Sequence, residues 1–295
     1  MAEILRTPDE AFANIPDYPF EPYYFNWGDI RMHYLDEGSG PPVVLFHGEP
    51  TWSFLYRKVI PELVGAGYRC IAPDYVGFGK SDKPADDAFY TYDMHSESVA
   101  ALLESLDLSR AAIVVQDWGG PIGLRFAVEN SSAVTRLVIL NTGIAFHGAR
   151  MSDAWHSFLA FVKSNDDLPI GFLMERSQAH DWGQQVLDAY DAPFPGVEYK
   201  AGARRFPQMV PLGSDDDGAT AMAAVDEELA QWEGPAYVLF STGDPIFSTE
   251  TGQRLVDHIP GADRLDTIEG AGHFLQEDRG EEVGRRIAAW LQGTG

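Results

Sequence analysis

The sequence predicts an α/β protein: a mostly parallel eight-stranded sheet with helices on both faces and an inserted helical cap. Two observations carry this expectation. Short apolar, β-branched runs alternate with longer stretches of helical spacing, and that alternation marks a parallel sheet covered on both sides. The alternation stops after Asn141 and resumes at Ala236, as it does when a segment is inserted between two strands.

Taken in order, Tyr23–Trp27 and Arg31–Leu35 read as opening strands joined by a turn at Gly28-Asp29. Val43–Phe46, Arg69–Ala72, Ala112–Gln116, Arg136–Asn141, Ala236–Ser241 and Arg264–Ile268 follow as strands. Between them, His95–Leu106 sets Val99, Leu102, Leu103 and Leu106 on one helical face, and Glu282–Leu291 does the same with Val283, Ile287, Trp290 and Leu291. Residues 142–213 are helical and rich in aromatics, among them Trp155, Phe158, Phe161 and Phe206. The expected division is a core of 1–141 and 214–295 with 142–213 as a cap. The cap would cover the carboxyl edge of the sheet, where open α/β sheets bind ligands.

With 295 residues, 45% of them hydrophobic, the chain has material for one large core. The net charge of −24, from 45 acids against 21 bases, excludes nucleic acid and anionic membrane as expected partners. No apolar run is long enough to span a bilayer, and the N-terminus lacks the apolar core of a signal peptide. A cytoplasmic protein is expected. Cys70 is the single cysteine and reads as a small buried hydrophobe. The Asp215-Asp216-Asp217 run reads as a solvated acidic loop.

Four segments carry chemistry. Ile113-Val114-Val115-Gln116-Asp117-Trp118-Gly119-Gly120 is an apolar strand, a turn and a helix start near Pro121, the setting of a nucleophile elbow. A serine enzyme would show Gly-x-Ser-x-Gly there. Asp117 holds the place instead, and Val115 occupies the position two before it, where a small residue is usual. Val43–Phe46 runs into His47-Gly48-Glu49-Pro50, the loop that supplies an oxyanion N–H in such folds. His47 itself reads as a structural, hydrogen-bonded histidine. Gly270-Ala271-Gly272-His273 places a base after the last strand, and Asp244 ends the strand before it. The chain order is thus nucleophile, acid, base. Gly77-Phe78-Gly79-Lys80-Ser81 imitates a phosphate loop but has Asp74 where the Walker pattern needs glycine. No Cys/His cluster suggests a metal.

These segments resemble the haloalkane dehalogenases, the α/β-hydrolase subfamily with His-Gly-Glu-Pro and Gln-Asp-Trp-Gly-Gly. Trp52-Ser53-Phe54-Leu55-Tyr56-Arg57 and Ala192-Pro193-Phe194-Pro195 extend the resemblance to about residues 4–293. It implies an α/β-hydrolase fold that hydrolyses small haloalkanes to alcohol, halide and a proton. Asp117 would form an alkyl ester. His273 would activate water, with Asp244 behind it, and the N–H groups of Glu49 and Trp118 would form the oxyanion hole. The only partners would be the haloalkane, water and halide ion, with no cofactor. Trp118 would hold the halide through its indole. The family's second donor falls on Phe158, so Trp155, one turn earlier, is expected to replace it, with Trp182 and the absence of any cap donor as the alternatives. Phe158, Phe161, Phe206, Pro207, Val210, Ile246 and Phe247 would line a dry, apolar pocket.

Three other readings share the fold. An epoxide hydrolase would need cap tyrosines, for which only Tyr190 and Tyr199 are available. A haloacid-type dehalogenase would need a cation near the nucleophile, such as Arg125. A non-catalytic small-ligand receptor could keep the whole triad.

Overall fold

A computed structural model describes residues 3–144 and 151–294. Eight strands form one sheet: β1 Tyr23–Trp27, β2 Ile30–Gly38, β3 Pro42–Phe46, β4 Arg69–Pro73, β5 Ala111–Gln116, β6 Val134–Leu140, β7 Ala236–Ser241 and β8 Ala262–Ile268. Their order is β8-β7-β6-β5-β3-β4-β2-β1. β1 and β2 pair antiparallel, as do β2 and β4, and the other neighbours are parallel. Every residue of β5 and β7 is buried, as expected of strands covered on both faces.

Eleven α-helices accompany the sheet among the described residues. They are α1 Ile60–Gly65, α2 Tyr92–Ser105, α3 Gly119–Glu129, α4 Asp153–Lys163, α5 Ile170–Ser177, α6 Gln184–Asp191, α7 Ala201–Arg205, α8 Ala219–Leu229, α9 Thr249–His258, α10 Leu275–Asp278 and α11 Gly280–Gly293. α1 packs on α11, while α2 and α8 flank α3. α4 to α8 lie between β6 and β7 in the chain, and α8 returns to the core against α3. No described helix is long and apolar enough to cross a membrane.

The expected strands are present with shifted ends. Asn141 leaves β6 with φ 25°. α2 starts at Tyr92 rather than His95, because the Thr91 side chain caps it by accepting from Met94 N–H at 3.0 Å. α3 starts at Gly119 rather than near Pro121. An additional pair, Ile4–Leu5 with Lys83–Pro84, was not anticipated; two-residue strands carry no periodicity.

Candidate active site

Parallel strands bring the carboxyl ends of β3, β5, β6, β7 and β8 to one edge. At the end of β5 the chain turns sharply, with Asp117 at φ 51°, a left-handed conformation that few side-chain-bearing residues adopt. The turn is pinned on three sides. Asp117 N–H donates to Asn141 O at 3.1 Å, Gly120 N–H donates to Asp117 O at 2.8 Å, and Thr142 Oγ1 donates to Asp117 O at 2.6 Å. The neighbouring loop passes so close that a Cβ on Gly48 would lie 2.4 Å from Asp117 Cβ; this glycine is demanded by contact.

The Asp117 carboxylate has two polar neighbours. Oδ1 accepts from the Glu49 backbone N–H at 2.7 Å, and Oδ2 lies 3.4 Å from His273 Nε2. His273 Nδ1 is 2.9 Å from Asp244 Oδ2. Burial alone would lower the His273 pKa, but the Asp244 charge and hydrogen bonds to both carboxylates outweigh it and push it up to about 10. The Glu49 side chain is itself buried. Desolvation, reinforced by the Asp117 charge, holds its carboxyl well above the ordinary range. Trp118, next after Asp117, is the N-cap of α3.

A cavity of about 540 Å³ opens above this group. Asp117, Trp118, Trp155, Val210, Ile246 and Phe247 line it. The Phe247 ring stacks 5.9 Å from the His273 ring. Neither the Trp118 nor the Trp155 indole N–H bonds to a described residue. Trp182 donates its N–H to Asp278 Oδ1 at 2.7 Å, which removes it as a halide donor.

Four expected pocket residues are not in the cavity wall. Phe206 is fully buried, stacked 4.4 Å from His95 and packed at a tilt 4.9 Å from Trp118. Pro207 is buried beside it. Phe158 and Phe161 share α4 with Trp155, but at 3.6 residues per turn Phe161 points about 120° away from it and Phe158 about 60° away. The cavity is also not apolar throughout, because Asp226, Arg254 and His258 line it too.

The chain matches the α/β-hydrolase fold family over residues 41–280. It is 44% identical to a haloalkane dehalogenase of Mycobacterium marinum, covering 98% of this chain and 99% of that one. The chain belongs to the haloalkane dehalogenases. A second dehalogenase, from Psychrobacter cryohalolentis, is 42% identical with 98% of each chain covered. Among solved structures, a tetrameric haloalkane dehalogenase from Paraglaciecola agarilytica superposes with a TM-score of 0.90 at 36% identity, over 99% of both chains.

Several residues that hold this dehalogenase's site together were not singled out in the sequence. The Asn141 amide donates to Ser241 Oγ at 2.8 Å and to the carbonyls of Gly272 and His273 at 3.0 Å each, while its Oδ1 accepts from Ser241 N–H at 2.8 Å. Its side chain thus joins the loops that carry Asp244 and His273, while its backbone carbonyl accepts from Asp117 N–H. Gln116 donates to the His273 carbonyl at 3.2 Å. Asp278 Oδ2 accepts from Gly272 N–H at 2.8 Å, while its Oδ1 takes Trp182. Close by, Glu277 binds Arg57 through both oxygens, at 2.5 and 2.6 Å, and accepts from Tyr190 Oη at 2.8 Å.

Other candidates have structural occupations. His47 is neutral, its pKa lowered to about 4 by burial. One ring nitrogen bonds Gly48 O at 2.9 Å, and the other accepts from Tyr75 N–H at 3.2 Å. The apparent phosphate loop is filled by its own chain: Lys80 N–H donates to Asp74 Oδ2 at 2.8 Å. In the acidic run, Asp216 accepts from the N–H groups of Leu212 and Gly213, both at 2.8 Å. Tyr190 is spent on Glu277, and Tyr199 does not line the cavity. Arg125 is paired with Asp93 at 2.6 Å and Glu129 at 2.8 Å.

Proposed function

We propose that this haloalkane dehalogenase works through an alkyl ester on Asp117. The observation that carries the reading is the Asp117 carboxylate, with one oxygen held by Glu49 N–H at 2.7 Å and the other 3.4 Å from His273. Oδ2 attacks the halogenated carbon, a C–O bond forms, and the halide leaves with the C–X electron pair. The halide is received by the indole N–H groups of Trp118 and Trp155, which are donor-only and place no competing lone pair against an anion.

In the second step water attacks Cγ of the ester. His273 takes the water proton, and Asp244 steadies the imidazolium. The developing charge on Oδ1 is met by the N–H of Glu49, joined by that of Trp118. The ester C–O bond breaks, the alcohol leaves, and the proton passes to solvent. Esterification supplies the switch for His273. Once Asp117 is neutral, one of the two carboxylates that raise the imidazole pKa is gone, and the ring becomes a base.

Val210, Ile246 and Phe247 keep the chemical end apolar, and residues 142–213 serve as the cap. We place the protein in the cytoplasm, in keeping with its free, buried Cys70, and its acidic surface disfavours nucleic acid as a partner. The occupied tyrosine and arginine side chains weigh against the epoxide and haloacid readings.

The test is His273→Ala incubated with 1,2-dibromoethane. The expected result is bromide release in one burst and an added bromoethyl mass on the Asp117 peptide. An unmodified Asp117 in a variant exposed to a substrate that the unaltered enzyme turns over would overturn the assignment.

A further inference from the structure

The cavity does not end where the chemistry ends. Thr251, Arg254, Leu255 and His258 all line it, and at spacings of three and four they form one face of α9. From Thr251 to His258 the helix rises on the order of 10 Å. At the chemical end Phe247 stacks on His273. Met222 and Leu255 add apolar wall, and Asp226, Arg254 and His258 add charged and polar groups to the same wall.

These three charged or polar groups are not equivalent. Asp226 is satisfied: His258 Nε2 lies 3.1 Å from its Oδ1 and 3.0 Å from its carbonyl oxygen. Arg254 makes one hydrogen bond, from Nη2 to Thr251 Oγ1 at 3.0 Å, and no ion pair among the described residues. Its remaining donors form a fork whose geometry suits a carboxylate bidentately. An alkyl tail would leave that fork unused.

We propose that Arg254 is a specificity residue that binds the carboxylate of ω-halocarboxylates, with the halogenated carbon at Asp117 and the acid at the Arg254 guanidinium in the same cavity wall. The proposal rests on the dehalogenase reading above. It differs from haloacid hydrolysis, where the carboxylate sits next to the reacting carbon; Arg125, the cation near the nucleophile in sequence, is already paired. The net charge of −24 repels anions at long range. Salt screens that field beyond about 10 Å at 0.1 M and weakens a direct contact much less.

The test compares bromide release from 6-bromohexanoate and 1-bromohexane by the intact enzyme and by Arg254→Gln, an exposed substitution on α9. The expected result is turnover of both by the unaltered enzyme. In the variant, KM for 6-bromohexanoate rises about tenfold with kcat little changed, while KM for 1-bromohexane moves far less, because the binding removed is that of the carboxylate. Release from 1-bromohexane but none from 6-bromohexanoate, or an equal change for both in Arg254→Gln, overturns the proposal and leaves the dehalogenase intact. Release from neither overturns the dehalogenase reading itself.

Discussion

A Cβ added to Gly123 would stand 2.6 Å from Cγ1 of Val115. Val115 is two residues before Asp117, the proposed nucleophile, where the elbow normally requires a small side chain so that helix and strand can approach. Here the bulk is kept on the strand and given up on the helix, one turn into α3. Gly123→Ala should therefore lower stability by about 1–3 kcal/mol, the usual cost of overpacking a filled core, and Val115→Ala in the same chain should recover much of it. Urea midpoints of the single and double variants measure this.

His273 gives a pH dependence whose sign is fixed. Its pKa is raised in the folded protein to about 10, from an ordinary 6.5. The stabilisation from binding that proton is complete below about pH 6.5 and is lost as pH rises toward 10. Asp117→Asn removes one of the two carboxylates responsible. Its stability deficit attributable to His273 should be largest near pH 6 and shrink steadily towards pH 10. Denaturation at a series of pH values, alongside NMR titration of His273, checks both parts. An imidazole that titrates identically in the two proteins would contradict the assignment.

Trp155 has a cleaner readout. Trp155→Phe keeps the ring and removes the N–H, so bromide should bind several-fold more weakly, in line with the roughly 1.5–3 kcal/mol of a hydrogen bond to a charged group less what Trp118 retains. Bromide quenching of tryptophan fluorescence measures it. Quenching of unchanged affinity would leave Trp118 without this partner.

Six of the eight sheet strands could be read from short apolar runs, and the first two from the turn at Gly28-Asp29 that joins them. The three proposed catalytic side chains could be read from motifs in which a glycine or proline neighbour makes a side chain stand out. Asn141 could not. It read as the last residue of a strand, and its partners lie 100 to 132 positions away, so no local pattern announces them. The aromatics of α4 illustrate a different limit. Trp155, Phe158 and Phe161 are equally apolar in sequence, and only the phase of the helix against the rest of the fold decides which faces the cavity. Arg254 was missed because a lone arginine on a polar helix face looks like any solvated charge.

Asp278 grips the His273 loop with one oxygen and Trp182 of the inserted segment with the other, and beside it Glu277 ties down Tyr190 of α6. The segment is thus moored to the body of the enzyme beside His273. A swing that freed this end would pull on the loop that carries the imidazole, so the hold on the segment and the register of His273 against Asp244 stand or fall together.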